Sequence, residues 1–95
     1  MITITKEKTV TIPFAGTEAL VRFKVPSAID VEELRSENLK DSDIFKKFVL
    51  EVSVEIEGYN EFPSAIISLP GSYPLVRDTA LQIINAAMLT DLEKN

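Results

Sequence analysis

The sequence predicts an α+β domain: an N-terminal antiparallel β-hairpin of two or three strands, followed by three or four α-helices. Three observations predict it. Apolar and polar residues alternate with a period of two through the first 26 positions, helix-capping sequences begin just after Pro26, and the last third carries a broad apolar band at helical spacing. With no internal repeat, low-complexity tract or long linker, residues 1–95 read as a single domain, with a hairpin region at 1–26 and a mainly helical region at 27–95.

In the hairpin region Ile2 and Ile4, then Val10, Ile12 and Phe14, alternate with Thr and Lys. Lys6-Glu7-Lys8 interrupts the pattern, either as a turn or as a solvated stretch of one long strand. Pro13 cannot donate a ladder hydrogen bond and is expected to end the strand, and Ala15-Gly16-Thr17 turns the chain. Ala19, Val21, Phe23 and Val25 then form the inner row of the next strand, opposite Glu18, Arg22 and Lys24.

Beyond Pro26, Ser27 to Asp30 and Asp30 to Glu33 both read as capping boxes, opening a short helix through about Leu39. Lys40-Asp41-Ser42-Asp43 breaks the chain and supplies a new cap. From Ile44 to Gly58 two periodicities compete. Ile44, Phe45, Phe48, Val49, Val52 and Ile56 share a helical stripe, while Leu50, Val52, Val54 and Ile56 alternate with Glu51, Ser53, Glu55 and Glu57 as in a strand. Length, the Asp/Ser cap and Gly58 at the far end favour one helix, with residues 49–57 as its ambiguous half. Ala65 to Leu69 reads as one or two helical turns. Ser72 and Pro74 then open the clearest helix, Leu75 to about Leu89.

Composition narrows the chemistry. The chain has no His and no Cys, which removes the usual general base, thiolate nucleophiles, and the commonest zinc ligands. With three glycines there is no phosphate-cradling loop, so we expect no enzyme, no metal and no cofactor. Fifteen acidic against ten basic residues give a net charge of -5, and Lys46-Lys47 is the one basic pair, so nucleic acid and anionic membranes are unsuited as partners. No apolar run reaches the roughly 18–20 residues a bilayer span needs. The N-terminus lacks the basic-then-apolar order of a signal peptide, so a cytoplasmic location is expected. Without disulfides, a chain of this size buries only about 60–65% of its unfolded surface, and its thin core invites self-association.

What remains is contact. Glu51 and Glu55, with Glu57 and Glu61 after them, would pair on a helix, yet a solvated acidic face explains them more simply. The Lys46-Lys47 pair has the same plain explanation. Tyr59, Phe62 and Tyr73 flank loops, where aromatic side chains either cap a small core or anchor a partner. The last helix carries more apolar surface than one stripe: Val76, Thr79, Ala80, Ile83 and Ala87, with Leu75, Ile84 and Met88 behind them. Either both sides are buried or one is left for a client or a second copy. The candidate protein-interaction residues are Tyr73, Leu75, Ile83, Ile84 and Met88.

The order of these parts is informative. A strand pair precedes a Phe-containing acidic segment ending in Glu57-Gly58. A loop then leads to Leu69-Pro70-Gly71 ahead of the closing helix. This arrangement resembles the small tail assembly chaperones of long-tailed bacteriophages and prophages. The resemblance implies that the chain binds the tape measure protein, or another tail protein, in the host cytoplasm during tail assembly, and a homo-oligomer is the accompanying expectation. It also implies a frameshifted longer product, for which Lys94-Asn95 suits an A-rich slippery codon pair. A structural tail completion or tube-associated subunit, and a small bacterial regulatory binding module, are the alternatives.

Overall fold

The computed structural model describes residues 6–57, 59 and 62–93, with side chains through residue 88. The strand reading of Ile2 and Ile4, the cap at Gly58, Glu61 and the Lys94-Asn95 pair lie outside the described residues. The fold is α+β, in chain order β1 (Glu7–Phe14), β2 (Thr17–Lys24), α1 (Ala28–Glu37), α2 (Asp41–Phe48), β3 (Val49–Ser53), α3 (Pro63–Ile66) and α4 (Tyr73–Glu93). The three strands form one antiparallel sheet in the order β1-β2-β3.

The hairpin closes on two residues, Ala15 and Gly16, with φ of 51° and 80°. A two-residue turn with both centres left-handed matches the natural twist of paired strands. Glycine adopts that conformation freely, whereas the Cβ of Ala15 makes it cost about 1–2 kcal/mol. Lys6-Glu7-Lys8 is no turn, for β1 begins at Glu7. Nor does Pro13 end the ladder, which runs through Pro13↔Glu18 to Phe14↔Thr17. The Val25 N–H donates to the Lys6 carbonyl at 2.9 Å, and hydrogen-bonded pairs alternate from there. Pro13 therefore occupies a non-bonded pair on an edge strand, where its nitrogen faces outward and no hydrogen bond is forfeited.

The single helix expected from Ile44 to Gly58 is corrected. Helix α2 stops at Phe48, and Val49, with ψ of 130°, starts β3 without an intervening loop. Between Arg22 and Phe23 the register slips: Arg22 faces Glu51 but Phe23 faces Val49, which leaves Leu50 as a bulge. The bulge turns Val49 and Val52 to the same inner face, three residues apart, and puts Leu50 outside. A spacing of three is what a helix would show, hence the false stripe.

The inner face of the sheet (Ile12, Phe14, Ala19, Val21, Phe23, Val49 and Val52) packs beneath α4 and beside α2, which contributes Ile44, Phe45 and Phe48. Full burial of a side chain such as Phe23 or Phe45 contributes about 2–3 kcal/mol. Tyr59 belongs to this core. Its ring lies 5.2 Å from that of Phe14, and its hydroxyl donates to the Pro70 carbonyl at 2.8 Å. The outer face is solvated, and Arg22 there reaches Glu7 at 2.7 Å and Glu51 at 3.6 Å. Glu51 is thus a strand residue, and the helical Glu51–Glu55 pair does not exist.

Two substitutions should stabilise the chain. Ala15→Asn relaxes the left-handed turn and is expected to add about 1 kcal/mol, read as a higher urea midpoint at unchanged slope. The Thr79 hydroxyl is buried with no hydrogen-bond partner, so Thr79→Val should add about 1 kcal/mol in the same assay.

Candidate interaction surface

Helix α4 divides into three sectors when its residues are placed at about 100° intervals. Leu75, Val76, Thr79, Ala80, Ile83 and Ala86 are buried and fill one broad arc toward the sheet and α2. Asp78, Gln82 and Asn85 form a polar sector. The third sector, roughly 80° wide, carries Tyr73, Arg77, Leu81, Ile84 and Met88. Of these Tyr73 is 62% exposed, Leu81 54% and Met88 43%, while Ile84, beside the buried arc, is half-buried. The Arg77 guanidinium lies over the Tyr73 ring at 5.6 Å and donates through Nε to Asp78 Oδ1 at 3.2 Å.

The five candidate residues therefore separate. Leu75 and Ile83 are 0% exposed and have no surface to offer a partner; they belong to the core. Tyr73, Ile84 and Met88 stand together on the exposed stripe. Sequence reasoning missed Leu81, which sits three residues before Ile84 and seven before Met88, a spacing that could have revealed it. Among the loop aromatics Tyr59 is a core residue, whereas Phe62 is strongly exposed just before α3.

The stripe runs into a groove of about 170 Å³ lined by Val31, Leu34 and Arg35 of α1, by Leu39 and Ile44, and by Ile84 and Met88. Apart from Arg35 its walls are aliphatic. The α1 wall is held by its own start: the Ser27 hydroxyl accepts from the Asp30 N–H at 3.2 Å, and the Asp30 carboxylate accepts from the Ser27 N–H at 3.0 Å. This is the first of the two expected capping boxes. Backbone hydrogen bonding from Ser27 is the main reason the Asp30 carboxyl titrates below its ordinary 3.8. Asn38, left-handed at φ 52°, ends the helix.

A second concavity, about 420 Å³, is lined by Lys6, Lys24, Ser27, Asp30, Lys47 and Phe48 among others. Two of its lysines face carboxylates of the same chain: Lys47 donates to Glu33 at 3.1 Å, and Asp30 feels both Lys47 and Lys24. Among the described residues no group of three or more His, Cys, Asp or Glu could hold a metal, and no helix is long and apolar enough to cross a membrane. Comparisons with protein-family models, curated proteins and solved structures gave no match.

The cap makes α1 acid-sensitive. Because the folded Asp30 pKa is depressed, its contribution is fully present above the unfolded value near 3.8 and is lost as pH falls through the folded value. Amide chemical shifts of α1 should report this loss below about pH 4, and Asp30→Asn should remove the acid step. An unchanged step in that variant would assign it elsewhere.

Proposed function

We propose that this chain works by non-covalent contact, holding an apolar segment of another protein on the exposed face of α4. The observation that carries the reading is the stripe of Tyr73, Leu81, Ile84 and Met88 continuing into an aliphatic groove, on a chain without histidine or cysteine. The resemblance to tail assembly chaperones supplies the partner: the tape measure protein, or another tail protein, covered in the host cytoplasm until the tail tube forms around it. The net charge of -5 supports the same role, since like-charged surfaces keep a loaded holder soluble.

Magnitudes say how such a site must work. Covering three half-exposed side chains gains about 1 kcal/mol each, and association costs at least about 4 kcal/mol. The stripe alone is insufficient. Binding of useful strength needs the aliphatic floor of the groove, Ile44 with Ile84 and Met88, as well, so the segment taken up is expected to be an amphipathic helix with apolar residues at every third or fourth position.

Leu81→Glu and Met88→Glu test the reading. Both positions are exposed, so thermal stability should change by less than about 1 kcal/mol. Calorimetric binding to the tape measure protein of the same genome, which the reading requires to exist, should fall roughly a hundredfold or more in the double variant. Equal binding by the variant and the parent, or no binding by the parent, sinks the proposal.

A further inference from the structure

The groove is partly roofed by α1, and α1 is poorly fastened. It contributes no buried residue, unlike α2 and α4. Ile29 on it is exposed, and Val31 and Leu34 are only half-buried. Between it and Ile44, Ile84 and Met88 lies the 170 Å³ groove, room for about five waters. Among the described residues, the side-chain hydrogen bond from α1 to the rest of the fold is Lys47 to Glu33, with both groups near half exposure.

The two ends are built to let the helix move without unwinding. Its capping hydrogen bonds run between Ser27 and Asp30, inside the motif, so lifting the helix breaks none of them. Pro26 precedes the cap, and the left-handed Asn38 follows the last turn. Resting on the reading of α4 as a client surface, we propose that α1 is a strap: it lifts as a unit, and the apolar helix of the client takes its place against Ile44, Ile84 and Met88. The present occupant indicates the chemistry of the replacement. A client helix with aliphatic residues on one side and a carboxylate toward Lys47 would satisfy the contacts that α1 gives up.

Lys47→Glu breaks the strap's ion pair without touching the groove lining, and Glu33→Lys in the same chain restores it with reversed sign. Hydrogen exchange on the full chain should show α1 amides opening about a hundredfold faster than those of α4, faster still in Lys47→Glu, and back to the parental rate in the double variant. Affinity for a neutral amphipathic peptide of leucine, alanine and glutamine should follow, rising about two- to fivefold in Lys47→Glu because it scales with the open fraction. The strap is overturned if α1 exchanges as slowly as α4, or if Lys47→Glu speeds exchange while peptide affinity stays the same. If no form binds peptide or client but exchange follows the charge swap, α1 still opens and the client reading is what fails.

Discussion

The buried arc of α4 is the constraint on which the molecule depends. Leu75, Val76, Thr79, Ala80, Ile83 and Ala86 must be covered, and no single neighbour is wide enough to do it. The sheet covers one part and α2 another, which fixes where both lie. The small side chains of Ala80 and Ala86 let those layers approach closely. With no cysteine to form a disulfide, this shared contact holds a domain only 18 Å across its thinnest dimension, the depth of one sheet and one helix layer.

How legible this was depended on whether local pattern and tertiary pairing agreed. They agree in β2, where Ala19, Val21 and Phe23 alternate strictly, and in α1, where Ser27 and Asp30 announce the cap. They disagree at residues 49–57. There a bulge at Leu50 gives a strand the spacing of a helix, and nothing within the segment records that β2 lies alongside to accept it. Pro13 misled for a related reason. A proline forbids a donor, but whether a donor was needed depends on the parity of the pair, which follows from the turn.

The candidate surface was legible in outline. Too many apolar residues on the last helix implied two faces, yet which residue belonged to which face needed the phase of the helix relative to the sheet. Leu75 and Ile83 lie on the inner face, Tyr73, Ile84 and Met88 on the outer, and Leu81 joins them by spacing alone. How little α1 buries could not be read from its caps, because a helix that buries little and one that packs well share the same ones.

The passage from α2 into β3 without a loop has a mechanical consequence. Phe48 ends one element and Val49 begins the next, so rotation of α2 about its axis is resisted by the strand's pairing with β2. Lys47, in the last turn of α2, is therefore mounted on the sheet rather than on a swinging arm. The backbone that carries this lysine is tied to the sheet, so the only freedom left between the ammonium and that support is rotation of its own four-carbon stem.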